Sequence, residues 1–393
     1  MARSYDIALF GATGFAGGLT AEYLAANAPD GLRWALAGRS PAKLATVRER
    51  LARAHPACSE LPLIGADVSD PGSVRELAEA ARVIVSTVGP YVRYGEPLVA
   101  ACATAGADYL DLTGEPEFVD TMYLRYHQLA MSTGARLIHS CGFDSIPADL
   151  GVLFTIGRLP EGVPVSVSCF ARTNGSISGG TWHSTVEILG RLERARRVAR
   201  ERRELEQWLD PIDAGRTVRG TAGRPRVEEL ADGWIVPAPT IDPQIVLRSA
   251  RALNRYGPDF SYGHYLVTRS LPATAGLMAG VGAVAGVAHI RVGRDLLLRL
   301  LSSGDGPDES RRSRSFFRLR FVAETPGSAQ PLITEVSGGD PGYTETAKML
   351  AESALCVAFD GIEAGGGQVT PAVALGEKLI ERLRRAGIQF TVV

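Results

Sequence analysis

Short apolar runs alternate with amphipathic runs of helical length over residues 1–150 of the chain. The apolar runs, which the pattern predicts to be strands, cover residues 5–10, 34–38, 61–64, 83–88, 109–112 and 136–139. Strands that are apolar on both faces and separated by helices are typical of a parallel sheet with helices on each side. We therefore predict an α/β fold that begins with a doubly wound parallel sheet.

The pattern changes after residue 150. Strands are predicted at 163–170, 316–324 and 332–337, an exposed loop at 304–314, and helices at 343–359 and 370–387. These segments predict a second, α+β domain over residues 151–340, which would bind the substrate. They also predict C-terminal helices over residues 341–393 that pack back on the first domain.

One segment, residues 270–290, contains no Asp, Glu, Lys or Arg. Its length approaches the about 20 residues of a membrane span, but glycine and alanine make it a poor match for hydrocarbon. Three interpretations stay open: a helix buried in the protein or in a subunit interface, a peripheral lipid contact, and a membrane span. We favour the first, in which residues 271–290 form an apolar substrate surface or the contact of a homodimer.

Charge and cysteine content narrow the class of protein. The formal net charge of the 393 residues is −1, which argues against a nucleic-acid partner. The five cysteines are scattered without metal-ligand spacing, so we predict reduced thiols and no metal site. No apolar segment of signal-peptide type is found at the N-terminus. These features predict a cytoplasmic protein, with membrane association as the alternative that residues 271–290 leave open.

A glycine-rich turn connects the first predicted strand to the first predicted helix. Its spacing is Gly11-Ala12-Thr13-Gly14-Phe15-Ala16-Gly17. In such turns one glycine permits the tight bend, one lets backbone N–H groups approach a pyrophosphate, and one lets the helix pack on the strand. The position of this motif predicts a Rossmann-type dinucleotide site in the first domain.

The end of the second predicted strand indicates which dinucleotide binds. An NAD site usually has an acidic residue there, but this chain has Arg39-Ser40, which suits the 2′-phosphate of NADPH. The alternative is that Ser40 caps the next helix and Arg39 is simply solvated. We assign to NADPH the residues at the strand ends, namely Gly11, Thr13, Gly14, Phe15, Gly17, Arg39, Ser40, Asp67, Val88 and Gly89.

Several motifs along the chain resemble those of one known family. They lie at residues 11–17, 37–39, 88–91, 109–115, 141–147, 338–343 and 370–372. Through them the whole chain resembles the saccharopine dehydrogenase-like oxidoreductases, and within them the bacterial trans-acting enoyl reductases. The resemblance implies an NADPH-dependent reductase that acts on an acyl chain made by a polyketide synthase without its own enoyl reductase. The substrate would be an acyl thioester on coenzyme A or on an acyl carrier protein.

Enoyl reduction requires a donor to the thioester oxygen and, optionally, an acid for the α-carbon, because water could also supply that proton. Our first candidate is Tyr91, which could instead pack over the nicotinamide edge; Asp144 and Cys141 come next. Asp144 could instead cap a helix, and Cys141 could be a small wall residue. Glu115, which precedes Pro116, is interpreted as a charge at a helix N-terminus.

Two other functions stay open. One is the reduction of an imine or another C–N substrate, and the other is a lipid-associated NADPH-binding protein without turnover.

Overall fold

A computed structural model describes residues 3–175, 179–213, 215–299 and 308–393 of the chain. Residues 304–307 of the predicted exposed loop lie outside these ranges. All five cysteines are free and buried.

The N-terminal part of the chain alternates strands and helices as the sequence predicts. Its elements are β1 (Tyr5–Phe10), α1 (Phe15–Asn27), β2 (Trp34–Gly38), α2 (Pro41–Ala54), β3 (Leu63–Gly65), α3 (Pro71–Ala80), β4 (Ala81–Ser86), α4 (Tyr91–Tyr94), α5 (Glu96–Ala105), β5 (Asp108–Asp111), α6 (Pro116–Thr133), β6 (Arg136–Ile138) and α7 (Ile146–Ile156). The strands pair in parallel in the order β6-β5-β4-β1-β2-β3. The order reverses beside β1, so the carboxyl ends of β1 and β4 flank the crevice where ligands bind in such sheets.

A second sheet follows. Its region contains β7 (Val165–Thr173), α8 (Gly179–Leu189), α9 (Leu192–Leu209), β8 (Thr217–Gly220), β9 (Arg226–Glu228), β10 (Gly233–Pro237), α10 (Asp242–Ala252), β11 (Asp259–Thr268), α11 (Leu271–Ala288), α12 (Arg291–Leu298), α13 (Glu309–Arg312), β12 (Phe317–Glu324) and β13 (Leu332–Gly338). Parallel and antiparallel pairs are mixed, with β7 between β12 and β11. The predicted α/β fold with a Rossmann-type sheet and a second α+β region is confirmed.

The C-terminal region joins both sheets. It contains α14 (Thr344–Phe359), β14 (Gly367–Val369), α15 (Pro371–Ala374), α16 (Gly376–Arg385) and β15 (Gln389–Val392). Helix α14 packs on α1, and β14 adds a seventh parallel strand beside β6. Strand β15 extends the second sheet at β13. The pattern of the sequence predicts helices alone here, because both strands are too short to show a period of their own.

Helix α7 forms the link between the two sheets. Ten of its eleven residues are buried, and it packs on β12, β13, α10 and α15. At Gly151 a Cβ would lie 2.3 Å from the ring of Phe321, so only glycine allows this close approach of helix and strand.

Helix α11 has the opposite environment. Among the described residues it is the one helix long and apolar enough to cross a membrane, and only 11% of it is buried within the chain. Leu271, Met278 and Val287 are all exposed. The interpretation of residues 271–290 as a helix buried within the protein is therefore wrong, because the helix projects from α8, α12 and the edge of the second sheet instead of entering the core.

Candidate functional site

The glycine turn lies at the carboxyl end of β1. Gly11 has a φ of 92°, and a Cβ on it would lie 2.6 Å from Thr87 Oγ1. A Cβ on Gly17 would lie 2.2 Å from the carbonyl oxygen of Gly11. Gly14 differs, since its Cβ would meet that oxygen at an ordinary 3.4 Å and its φ of −81° suits any residue. The fold thus requires Gly11 and Gly17, whereas Gly14 leaves free space at the N-terminus of α1, where a phosphate binds well.

The end of β4 forms the opposite side of the turn. The Oγ1 of Thr87 donates to the carbonyl oxygens of Phe10 and Gly11, each at 3.2 Å. Val88 is half-buried beside Gly11, and Gly89 is exposed, as is Thr13 on the turn itself. Small side chains on both sides of the crevice leave room for a flat ligand.

The end of β2 carries the groups predicted to bind a 2′-phosphate. Arg39 is exposed, and no hydrogen bond or ion pair of its guanidinium is found in the described part of the chain. Hydrogen bonds from Ser69, and then the nearby charge of Arg39, lower the pKa of Asp67. Ser40 Oγ accepts the N–H of Lys43 at 3.4 Å, so Ser40 does cap α2. Its hydroxyl hydrogen stays available to a phosphate at this helix N-terminus.

Lys43 is a cation near Arg39 that the sequence reasoning missed. It is exposed in the first turn of α2. Its position three residues after the capping serine is the signal that could have found it, since the first turn of a helix lies beside the anion site of its N-terminus.

Residues of the second half of the chain cover the glycine turn. The ring of Phe15 packs edge-on against Tyr343, with 4.6 Å between ring centroids. The guanidinium carbon of Arg312 lies 5.6 Å from the Phe15 centroid, and its Nη1 donates to Thr344 Oγ1 at 3.5 Å. Its Nε is buried without a partner among the described residues. A second cation therefore lies beside the phosphate-binding turn, and nothing in the local sequence indicates it.

Asp144 lies in the loop between β6 and α7, beside Gly114. A Cβ on Gly114 would lie 3.0 Å from Asp144 Oδ2, so the glycine makes room for this carboxyl group. Burial, and then the charge of Asp242, raise the pKa of Asp144 to about 7. Asp242 is itself buried at the start of α10, and burial raises its pKa to about 6. Asp144 is thus a half-buried carboxyl group that carries a proton for much of the time near neutrality.

The loop that presents Asp144 is held in a strained conformation. Ser140 and Ser145 have φ values of 62° and 119°, which L-residues rarely adopt. Asp111 fixes the start of the loop, because its Oδ1 accepts the N–H of Ser140 at 2.9 Å. Its Oδ2 lies 2.6 Å from His139 Nδ1 in the buried layer below. Strain of this kind is common where a backbone must hold a functional group in place.

The other two catalytic candidates are engaged within the fold. Tyr91 is buried, and its hydroxyl donates to the carbonyl of Ser86 at 3.0 Å while it accepts the N–H of Leu112 at 3.1 Å. The Cys141 thiol is buried and donates to the carbonyl of Ile138. Burial raises the pKa of both groups. Their catalytic roles stay predictions, and the geometry favours Asp144 as the proton donor.

Glu115 connects the two parts of the protein. Its Oε1 accepts the N–H of Tyr91 at 3.0 Å, and its Oε2 accepts the N–H of Val92 at 2.7 Å. The carboxylate of Glu115 therefore caps the N-terminus of α4, although Glu115 itself lies at the start of α6. Ser184 of α8 donates to the same carboxylate at 2.7 Å. Burial raises the pKa of Glu115.

Comparison with known proteins agrees with this geometry. The saccharopine dehydrogenase NADP binding domain matches residues 7–138. A trans-acting enoyl reductase of Mycobacterium tuberculosis is 37% identical over 98% of this chain and 97% of its own length. A trans-acting enoyl reductase of Mycobacterium ulcerans is 36% identical over the same shares of the two chains.

One solved structure shares the whole fold. The apo histidine-tagged saccharopine dehydrogenase (L-Glu forming) from Saccharomyces cerevisiae aligns with 99% of this chain and 100% of its own, with a TM-score of 0.55 and 13% identity. At that identity the likeness shows the fold alone. The matched domain supports the predicted NADPH site, which has free space at Gly14 and an unpaired cation at Arg39.

Proposed function

The chain belongs to the saccharopine dehydrogenase family of NADP-dependent oxidoreductases, and from this premise we propose that it is a trans-acting enoyl reductase. Its substrate is the C=C bond of an α,β-unsaturated acyl thioester, held on coenzyme A or on the carrier protein of a polyketide synthase. The observation that carries the proposal is the similarity of 36–37% over nearly the full length to relatives with that name. Similarity of this extent includes both the cofactor crevice and the second sheet.

Different residues of the crevice bind the 2′-phosphate and the pyrophosphate of NADPH in this proposal. Arg39, Ser40 and Lys43 surround the position of the 2′-phosphate, and the free space at Gly14 takes the pyrophosphate. When bound there, NADPH would supply the hydride that reduces the β-carbon of the thioester.

Asp144 completes the reduction in this proposal. Its carboxyl proton passes to the α-carbon, so that the saturated thioester is formed and a carboxylate is left. The half-exposed position lets the carboxylate regain a proton from water. Because its pKa is about 7, the group is both protonated and acidic enough to act near neutral pH.

The test is NADPH consumption with enoyl thioesters of increasing chain length, carried both on coenzyme A and on a pantetheine analogue. We expect NADPH oxidation with equal formation of the saturated thioester. A parallel panel of α-keto acids with amines tests imine reduction by the same enzyme preparation. Turnover with the amine panel alone would contradict the proposal, and so would bound NADPH that no enoyl thioester oxidises.

A further inference from the structure

Helix α11 is an apolar arm that the rest of the chain leaves uncovered. None of its 18 residues is charged, and its length of 18 residues corresponds to about 27 Å. Residues 275–280 are exposed without interruption, which is more than one full turn of helix. Gly276 and Gly280 have no other part of the protein within 4 Å of a built Cβ. Over residues 275–280 the arm therefore meets solvent on every side, whereas Thr274 before them is buried.

Exposure on every side restricts what can cover the arm. A flat protein surface covers only one face of a helix, and a helix that binds such a surface is usually polar on its other face. A helix that is apolar all round is normally surrounded by a protein core or by hydrocarbon. Lipid can surround this arm, because acyl chains adapt to its shape.

The neighbouring helix adds a second apolar surface and positive charge. Val292 and Leu296 of α12 are 79% and 61% exposed. Residues 269–299, which include α11, α12 and the residues beside them, contain four arginines and one aspartate. This segment therefore carries an excess of three positive charges. Arg299 is exposed at the end of α12, and Arg197 of α9 lines an open pocket with His289 at the end of α11. Cations beside an exposed apolar surface complement the headgroups of anionic lipids.

The arm lies next to the candidate active site. It packs on α8, and Trp182 of α8 donates its indole N–H to the carbonyl of Leu297 at 2.7 Å. The same helix carries Ser184, which is bonded to Glu115 beside the site. A surface that holds α11 and α12 therefore also lies one helix away from Glu115 beside the candidate site.

We infer that α11 and α12 dock the protein on the surface of an anionic phospholipid bilayer, with α11 inserted among the acyl chains. The inference does not depend on enoyl reduction, since lipid binding requires no turnover. Together with the proposed function, which it does not require, it predicts that the enzyme meets its acyl substrate at the membrane surface.

Vesicle flotation tests the docking with phosphatidylcholine vesicles prepared with and without phosphatidylglycerol. We expect the wild-type chain to float with the anionic vesicles and to be released by salt. Met278→Asp should lower the partition coefficient at least about tenfold, because a carboxylate enters hydrocarbon poorly. Met131→Asp on α6 is the matched control, since Met131 and Met278 are 55% and 49% exposed, and it should float like the wild type.

Charge reversal tests the second part of the docking surface. Arg197→Glu should weaken flotation with anionic vesicles and leave any binding to neutral vesicles unchanged, whereas Arg53→Glu at the exposed end of α2 should change neither. The inference is overturned if the wild type stays unbound with both vesicle types, or if Met131→Asp loses as much binding as Met278→Asp. It is also overturned if light scattering shows a dimer that Met278→Asp dissociates, because α11 would then be a subunit contact.

Discussion

Arg39 is the residue that we expect to distinguish NADPH from NADH. Its guanidinium is exposed at the end of β2, where no hydrogen bond or ion pair within the described residues holds it and the carboxylate of Asp67 is the nearby opposite charge. An arginine can bind a phosphate through two charge-assisted hydrogen bonds.

We expect Arg39→Ala to weaken NADPH binding by about 1.5–3 kcal/mol and to change NADH binding little, because NADH has no 2′-phosphate. Isothermal titration calorimetry with both cofactors measures the difference. Arg53→Ala, at the exposed far end of α2, is the control. Equal losses for the two cofactors would show that Arg39 does not recognise the 2′-phosphate.

Arg312 provides a contrasting case, because it lies beside Phe15 at the phosphate-binding turn rather than at the end of β2. A cation there would face the pyrophosphate, which NADPH and NADH share. We expect Arg312→Ala to weaken both cofactors alike, by about 1.5 kcal/mol. Arg311→Ala, which alters the exposed neighbour, should leave both affinities unchanged. A loss confined to NADPH, or no loss at all, would contradict this position for the pyrophosphate.

Asp144 gives the reaction a predicted pH dependence. Burial raises its pKa to about 7, so the carboxyl group holds its proton below that pH and loses it above. We expect kcat to be constant on the acid side and to fall as the pH rises through about 7. Asp144→Asn should lower kcat about 10²–10⁴-fold and abolish this fall while NADPH still binds. A variant that keeps the wild-type pH profile would remove Asp144 from the mechanism.

At the scale of elements, the turn from β1 to α1 contains one glycine that cofactor binding requires and another that the fold requires. Gly14 has room for a side chain in the protein alone, whereas a Cβ on Gly17 would lie 2.2 Å from a carbonyl oxygen. Gly14→Val should therefore fold normally and lose NADPH binding. Gly17→Ala should lower the free energy of unfolding by about 1–3 kcal/mol. Calorimetry and urea unfolding of both variants test the difference, and retained NADPH affinity in Gly14→Val would contradict it.

At the scale of the whole molecule, a buried polar cluster joins three distant helices. Asp149 of α7 accepts hydrogen bonds from Ser249 Oγ of α10 at 2.6 Å and from the N–H of Ala372 in α15 at 2.8 Å. Thr370 Oγ1 lies 2.6 Å from the same serine hydroxyl. Helices α7 and α10 pack on strands of the second sheet, and α15 directly follows β14 of the first sheet, so this cluster ties the second sheet to the end of a first-sheet strand.

Loss of the Asp149 carboxyl group should therefore affect the whole protein. We expect Asp149→Ala to lower the free energy of unfolding by about 2–4 kcal/mol, because two buried donors lose their acceptor. Urea unfolding followed by both fluorescence and circular dichroism measures the change. Glu229→Ala, at an exposed position, should stay within about 0.5 kcal/mol of the wild type. A smaller change for Asp149 than for Glu229 would be inconsistent with the cluster.

The parts of the site that the sequence predicts are those whose residues lie close together along the chain. The turn of Gly11, Gly14 and Gly17 is local, so its spacing and its place after a strand were sufficient to predict a dinucleotide site. The approach of Arg312 to Phe15 joins segments about 300 residues apart, and no periodicity records such a contact. The raised pKa of Asp144 similarly depends on burial and then on the charge of Asp242, which α10 supplies from about 100 residues further along the chain. Tyr91 was our first catalytic candidate because of its position, yet its hydroxyl proved to be bonded to Ser86.

By itself the sequence determined the local elements and the cofactor class, because hydrophobic period, glycine spacing and the charge at a strand end are properties of neighbouring residues. It did not determine whether the apolar helices α7 and α11 are buried or exposed. Helix α7 is buried against the second sheet and neighbouring helices, and α11 is exposed, although both are apolar by composition. Only the tertiary structure decided this, because burial depends on which distant surfaces the chain brings against a helix, and here they cover α7 but leave most of α11 uncovered.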